Sequence, residues 1–154
     1  MRIISGKLKG RSINFLKNLN TRPLKDKVRE SIFNILQHSK FVKIKINESN
    51  ILDLYSGIGS FGIECISRNA KKVTFIEKDK SAINVLKDNL NNLSIVDKSK
   101  IYNNNIEEIL NRNLSDKFNI FFLDPPFADL NYIQNLELIK KNNYFSENHI
   151  IVIH

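Results

Sequence analysis

A carboxylate, two prolines and an aromatic ring follow one another at the end of an apolar run, FNIFFLDPPF over 118–127. Prolines end a strand because they lack the N–H that a sheet ladder needs, so strand termination is one interpretation. A binding surface for a planar base with an exocyclic amine is the other. Asp124 and the Pro125 carbonyl, held rigid by Pro126, can each accept one amine N–H, while Phe127 can stack on the base. The motif thus predicts catalytic residues that orient an amine nitrogen for attack.

A second pattern, DLYSGIGSFG, places three glycines between a predicted strand and a predicted helix. Gly57 is expected to make the turn, Gly59 to let the backbone approach a ligand, and Gly62 to permit close helix packing. Glu77 closes the next predicted strand, 20 residues after Gly57. A carboxylate at that point can accept both hydroxyls of a ribose. Loop and acid together predict a site for an adenosine-type cofactor.

The acidic residue Asp53, within the strand before the glycines, favours one cofactor over another. A dinucleotide site holds a pyrophosphate, which is disfavoured by a further negative charge nearby. A carboxylate instead suits the ammonium and sulfonium cations of S-adenosylmethionine, and so favours it over NAD. Asn105 and Ile106, after the third predicted strand, lie where an amide and a backbone group can contact an adenine. The candidate cofactor-binding residues are Asp53, Tyr55, Gly57, Gly59, Glu77, Lys78, Asn105 and Ile106.

The positive charge of the chain is concentrated at its beginning. The net charge is +8, but residues 1–45 hold 12 of the 24 Lys and Arg residues and two acids, a local net of +10. An even distribution would suggest a merely solvated surface, whereas this one predicts a segment that binds a polyanion. The candidate contacts are Arg2, Lys7, Lys9, Arg11, Arg22, Lys25 and Arg29.

The elements that position these residues alternate along the chain. RIISGKLKGRSINF predicts a short hairpin or paired strands around Gly6 and Gly10. A helix follows, with Thr21 as its cap and Pro23 in its first turn. Its predicted apolar stripe is Leu24, Val28, Ile32, Ile35 and Leu36, and the residues expected to fall away from that stripe are Lys25, Lys27, Arg29 and Glu30.

Five further strands alternate with four further helices. The strands are predicted at 51–55, 73–77, 100–103, 118–123 and 150–153, and the helices near 60–69, 79–92, 106–111 and 132–141. Apolar strands that alternate with helices predict an α/β protein with a mostly parallel sheet covered on both faces, a Rossmann-like doubly wound fold. Strand 118–123 should then lie beside the strand that precedes the glycine loop, which would bring the two motifs together at one edge.

Composition excludes several classes of protein. No apolar run approaches the roughly 20 residues that a membrane-spanning helix needs, and the N-terminus lacks the apolar middle of a signal peptide. The single Cys65 permits no internal disulfide. His38, His149 and His154 are scattered, so we expect no metal site. We expect a cytoplasmic protein that is a monomer and does not bind a membrane.

The motifs resemble those of a known enzyme family. D-P-P-F resembles the (Asp/Asn)-Pro-Pro-(Tyr/Phe) motif of amino-methyltransferases, and DLYSGIGSFGIE resembles their cofactor motif. RIISGKLKGR and TRPLKDKVRESIFNIL are similar to RsmD-type enzymes in particular, which methylate the N2 amine of a guanine in bacterial 16S ribosomal RNA. The resemblance implies a class I methyltransferase fold, S-adenosylmethionine as cofactor, and 16S ribosomal RNA, in a small-subunit particle, as partner.

The resemblance also implies a division of labour within the chain. Residues 1–45 would form the RNA-binding extension, hairpin plus helix, with Arg22 and Arg29 among its contacts, and 46–154 the S-adenosylmethionine-binding methyltransferase domain. Members of the family continue past the fifth strand with a helix and two more strands, so the sheet is expected to lack that edge here. The alternatives are a DNA adenine-N6 methyltransferase, an NAD-dependent oxidoreductase, and a non-catalytic RNA-binding protein with a vestigial cofactor site.

Overall fold

Strands and helices alternate in the computed structural model as the sequence predicts. It describes residues 1–16, 24–112 and 114–154, so the expected cap Thr21, the candidate contact Arg22 and the first-turn Pro23 lie outside the described residues. The helices are α1 (Asp26–His38), α2 (Ser60–Ser67), α3 (Lys80–Asn92), α4 (Ile106–Leu110) and α5 (Asn131–Lys141), and the strands are β1 (Asn50–Leu54), β2 (Lys72–Ile76), β3 (Ser99–Tyr102), β4 (Phe118–Leu123) and β5 (Phe145–Ile153).

The five strands form one sheet in the order β3-β2-β1-β4-β5, and every neighbouring pair is parallel. Leu54 pairs with Ile76 on one side and with Leu123 on the other, so β1, β2 and β4 end level with one another. The chain order reverses between β1 and β4, which is the point where ligands bind in such sheets. The predicted doubly wound fold and the predicted neighbourhood of the two motifs are therefore confirmed.

Both faces of the sheet are covered by apolar side chains. The central strands are buried almost throughout, since helices pack on either side of them. One face packs in a cluster with α2 and α3 that includes Phe33, Phe61, Phe75, Leu86 and the lone Cys65, and the other in a cluster that includes Leu54, Phe121, Ile139 and Tyr144. Burial raises the pKa of the Cys65 thiol well above its ordinary value. None of the described helices is long and apolar enough to cross a membrane.

The edge strand β5 begins earlier than expected. The sequence predicts a strand from residue 150, but pairing with β4 already joins Phe145 to Phe118. The first half of β5 carries the polar residues Ser146, Glu147 and Asn148. Because these residues interrupt the apolar pattern, the sequence does not indicate a strand there. An irregularity in the ladder between Phe118 and Ile120 separates the two halves of the strand.

The N-terminal segment is a much reduced hairpin. Its antiparallel pairing is limited to a single bridge between Arg2 and Ser12, with backbone bonds from Ile3 N to Arg11 O (3.0 Å) and from Ile13 N to Met1 O (2.9 Å). Ile3 and Ile13 are both buried in the same cluster as the sheet residues. The N-terminal segment therefore contributes two side chains to the hydrophobic core.

A buried carboxylate attaches this segment to helix α2. Glu64 on α2 is fully buried and accepts the backbone N–H groups of Ile4 (2.8 Å) and Ser5 (2.9 Å), while Arg68 Nε donates to it at 2.9 Å. Ser67, one turn further along α2, accepts an N–H from Leu8 at 3.0 Å. Since a buried charge is stable only when it is paired and hydrogen-bonded, these partners satisfy Glu64 and fix the segment on α2.

The predicted inner face of α1 is wrong in two places. Arg29 was expected to point away from the core, but it is fully buried, whereas Ile35 is 58% exposed. The Arg29 guanidinium donates to Arg2 O (2.5 Å) and to Asp26 Oδ1 (3.0 Å), because the N-terminal segment covers this face of the helix. Burial lowers the pKa of Arg29, an effect that the nearby Glu64 and Asp26 oppose. Arg29 thus anchors the segment and is not available as an RNA contact.

We predict that Glu64→Gln destabilises the protein by about 2–4 kcal/mol, since it weakens three hydrogen bonds to a charged acceptor and leaves Arg68 without its ion pair. Urea unfolding measures this free energy. Glu30→Gln, at an exposed position of α1, is the matched control and should change it by less than about 0.5 kcal/mol. Equal stability of the two variants would contradict the anchoring role of Glu64.

Candidate active site

The crevice at the carboxyl ends of β1 and β4 contains a cavity in which the two acidic motif residues meet. Asp53, near the end of β1, and Asp124, directly after β4, both line it. Residues of the glycine loop line it too, together with two leucines from before and after the undescribed range 17–23. The described residues that line it are Leu16, Leu24, Asp53, Tyr55, Ser56, Gly57, Ile58, Ser60, Phe61, Phe122 and Asp124. The structure thus brings together residues that lie far apart in the sequence.

The three glycines of the loop differ in what surrounds them. A Cβ on Gly62 would lie 2.3 Å from the Phe75 ring, which agrees with its predicted role in helix packing. Gly59 has a φ of +82° and packs in the same way, since a Cβ there would lie 2.3 Å from Leu86 Cδ1. Gly57, with a φ of +54°, has open space beside it. The predicted approach of the Gly59 backbone to a ligand stays a prediction, and Gly57 is the glycine with open space on the side where a Cβ would lie.

Glu77 lies beside this loop, at the end of β2. Its Oε2 accepts the N–H of Gly57 at 2.8 Å, and its Oε1 accepts the N–H groups of Lys78 and Asp79, each at 2.8 Å. Three backbone donors hold the carboxylate in one orientation next to Gly57. The juxtaposition of loop and acid that the sequence predicts is present.

Asp53 is 1% exposed, and its Oδ2 accepts the Gly62 N–H at 3.0 Å. Burial raises the pKa of this carboxyl well above its ordinary value; the Gly62 bond opposes the shift, while Asp124 and Glu77 add to it. A negative charge at this position is costly unless a cation lies nearby. A ligand with positive charge beside Asp53 would reduce this cost, and the preference for such a ligand stays a prediction.

Asp124 and Phe127 face outward from the end of β4. The Asp124 side chain is 28% exposed, and its Oδ1 lies 2.9 Å from Nδ1 of His154. Pro126 O accepts the N–H of Asp129 at 2.8 Å, which turns the chain after the two prolines. Phe127 is fully exposed, so its ring is free to stack on a partner. Asp124 thus borders the cavity, whereas Phe127 lies three residues further along the chain and, among the described residues, is not part of the cavity lining.

Two residues that hold the site together were not predicted from the sequence. Asn135 on α5 is buried, and its Nδ2 donates to the Tyr55 hydroxyl at 3.0 Å. Burial, with the nearby Asp129, raises the pKa of Tyr55 to about 12. Asn103 donates to the carbonyls of Glu77 (3.1 Å) and Lys78 (3.2 Å) and joins the ends of β2 and β3. Because Asn is so frequent in this chain, neither residue stands out by its type.

The other predicted cofactor residues lie further out. Lys78, Asn105 and Ile106 follow β2 and β3, and among the described residues they are not part of the cavity lining. Asn105 precedes α4, and its Nδ2 lies 3.5 Å from Glu108 Oε1. These three residues stay predictions, at the strand ends where an adenine would lie in such a sheet.

Within the described residues, the basic candidates are exposed, apart from Arg29. Arg11 Nη2 donates to Asn92 O at 2.6 Å, so it places positive charge at the carboxyl end of α3, where the helix dipole favours it. The other exposed candidates are Arg2, Lys7, Lys9 and Lys25. In the described part of the chain, no group of three His, Cys, Asp or Glu side chains has a geometry that could hold a metal ion.

Known proteins resemble this chain over its whole length. The sequence profile of the family described as Conserved hypothetical protein 95 matches residues 1–154. Ribosomal RNA small subunit methyltransferase D of Buchnera aphidicola is 39% identical over 153 residues, which cover 99% of this chain and 74% of that protein. The enzyme of the same name from Haemophilus influenzae is 36% identical and is covered to 77%. A solved structure of a putative methyltransferase from Escherichia coli superposes with a TM-score of 0.84 at 29% identity, over 99% of this chain and 78% of that one.

We predict a pH-dependent effect of Asp53→Asn on stability. A carboxyl whose pKa is raised in the folded state contributes stability below its unfolded pKa, about 3.9, and loses that contribution as the pH rises through the folded pKa. Asn removes this loss and keeps an acceptor for Gly62. The difference in Tm, variant minus wild type, should therefore grow from pH 4 to pH 8 in thermal unfolding. Asp88→Asn, exposed on α3, serves as control, and a difference that stays flat for Asp53→Asn would contradict the burial argument.

Proposed function

Because the chain belongs to the family of ribosomal RNA small subunit methyltransferase D, we propose that it methylates the exocyclic N2 amine of a guanine in the 16S RNA of the small ribosomal subunit. The observation that carries the proposal is the shared cavity of Asp53 and Asp124 at the switch point of the sheet. One carboxylate suits a cationic methyl donor, and the other suits an amine.

The residues of the first half of the site fit S-adenosylmethionine. Asp53 provides negative charge for its cationic groups, Glu77 provides oxygen acceptors for its ribose, and the open face of Gly57 lets the backbone approach it. Lys78, Asn105 and Ile106 follow the next strands, where the adenine would lie. When bound, S-adenosylmethionine supplies a methyl group activated by its sulfonium.

The residues of the second half orient the amine. An exocyclic amine is a weak nucleophile because its lone pair is delocalised into the base. Asp124 and the Pro125 carbonyl each accept one N–H, which directs the nitrogen lone pair away from the ring plane, and Phe127 stacks on the base for about 1–3 kcal/mol. Positioning and electrostatics thus account for the catalysis. The proton leaves the nitrogen once it is methylated, so Asp124 need not be a strong base.

The exposed basic residues of the N-terminal extension hold the RNA. Lys7 and Lys9 lie on the turn between Gly6 and Gly10, and Arg2, Arg11 and Lys25 are exposed nearby in the sequence. Arg22, in the same extension, is proposed as a further contact on the family resemblance. Arg29 is buried beneath this surface and donates a hydrogen bond to the backbone carbonyl of Arg2. We propose that the protein acts as a monomer and that its partner is 16S ribosomal RNA within a small-subunit particle.

We predict that Asp124→Ala abolishes methyl transfer and leaves the affinity for S-adenosylmethionine within about three-fold, because the side chain contacts the amine and not the donor. The assay transfers label from the cofactor to small ribosomal subunits that lack the modification and identifies the labelled nucleoside. Calorimetry gives the cofactor affinity, and Asp88→Ala is the control for the loss of a surface carboxylate.

The transfer assay and the calorimetry together distinguish this function from the alternatives. Label at N2 of guanine supports the proposal, and label at N6 of adenine would favour an adenine methyltransferase. Absence of label with intact cofactor binding would indicate a non-catalytic RNA-binding protein. Binding of NAD in place of S-adenosylmethionine would rule out the methyltransferase. Unchanged turnover of Asp124→Ala would remove this residue from the catalytic step.

We also predict that Lys7→Ala combined with Lys9→Ala weakens RNA binding and flattens its salt dependence. Each lost phosphate contact should reduce the slope of log K against log salt by about 0.7–0.9. Filter binding at several salt concentrations measures this slope. Lys140→Ala combined with Lys141→Ala, at the exposed end of α5, removes the same charge elsewhere and should leave the slope unchanged. Equal slopes for both double variants would place the RNA surface outside the N-terminal turn.

A further inference from the structure

His154 lies directly beside the proposed catalytic carboxylate. Its Nδ1 is 2.9 Å from Asp124 Oδ1, and its backbone N–H donates to Leu123 O at 3.0 Å. The second bond continues the ladder between β4 and β5 past Ile153. The backbone of His154 is therefore bonded to the residue that precedes Asp124, and its ring lies just past the end of β5.

The direction of the hydrogen bond follows from the chemistry of the two groups. An ionised carboxylate can only accept, so Nδ1 of His154 must carry the hydrogen. The contact engages Oδ1 of Asp124, and Asp124 also lines the cavity beside Asp53. One carboxylate oxygen is thus bonded to the edge strand and the other stays unbonded to protein groups within the described residues.

A lone aspartate at this position would be poorly oriented. The last torsion of an aspartate side chain is broad and roughly two-fold, so the carboxylate can rotate freely without a partner. A donor fixed by the backbone limits this rotation and stabilises the negative charge at the same time.

We propose that His154 is a positioning residue that holds Asp124 through Oδ1 and leaves Oδ2 to accept the amine of the target base. The inference rests on the proposed function of Asp124. No bond to His154 is made or broken in the reaction, and the imidazole keeps its proton throughout. Its contribution is therefore to the rate of the step that Asp124 assists, and not to the binding of cofactor or RNA.

Three variants separate positioning from general structural support. His154→Ala should lower kcat about 10-fold and leave KM for the particle and the cofactor affinity within about two-fold, because misorientation of a catalytic group affects the chemical step. His154→Asn keeps a donor at the δ position and should recover kcat to within about three-fold of the wild type. His149→Ala, on the same strand but bonded to Ser146 O, is the control and should change kcat by less than about two-fold.

A second measurement does not depend on activity. Nitrogen NMR of the imidazole at alkaline pH reports which ring nitrogen carries the hydrogen, and we expect Nδ1 in the wild type and a shift towards Nε2 in Asp124→Ala. Hydrogen at Nε2 in the wild type would overturn the proposal, and so would full activity of His154→Ala. A decline in kcat that Asn does not relieve would also overturn it. If the wild type transfers no methyl group, the proposed function fails, while the NMR result still decides whether His154 donates to Asp124.

Discussion

The buried carboxylate of Glu64 joins the two parts of the molecule that must act together. Glu64 belongs to α2, the helix that begins directly after Gly59, and it accepts the backbone of Ile4 and Ser5. The basic segment is therefore fixed to the same helix that follows the glycine loop. Movement of one part relative to the other would remove two of the three hydrogen bonds to a buried charge, which is strongly unfavourable. The proposed RNA surface and cofactor loop thus behave as one body.

The same principle recurs around the crevice. Glu77 is bonded to Gly57, Asp53 to Gly62, and Tyr55 to Asn135. Each bond runs from one element to another, so the strand ends, the loop and α5 constrain one another. A site whose groups are already oriented requires little reorganisation when the reaction occurs. The acids therefore hold the backbone of the site, and in the proposed function Asp53 also provides negative charge for a cationic methyl donor.

Much of this arrangement could be predicted from the sequence, and the exceptions share a physical cause. The buried strands and α3 follow from apolar runs and periodicity, and the parallel sheet then places Asp53 beside Asp124. Arg29 was placed wrongly because periodicity cannot foresee that a distant segment covers a helix face. The roles of Gly57 and Gly59 depend on which side chains of α3 approach the loop. Asn135 has a role only through a tertiary contact, and contacts of that kind leave no local pattern.

The burial of Cys65 has a practical consequence for studies of motion in this protein. It is the chain's single cysteine, and its thiol is fully buried with a raised pKa, so it offers almost no thiolate to an alkylating reagent while the protein is folded. A cysteine introduced on the N-terminal turn or beside Phe127 would then be the only reactive thiol. The native sequence is in effect already prepared for site-specific labelling, and slow modification of Cys65 itself would report the opening of the core.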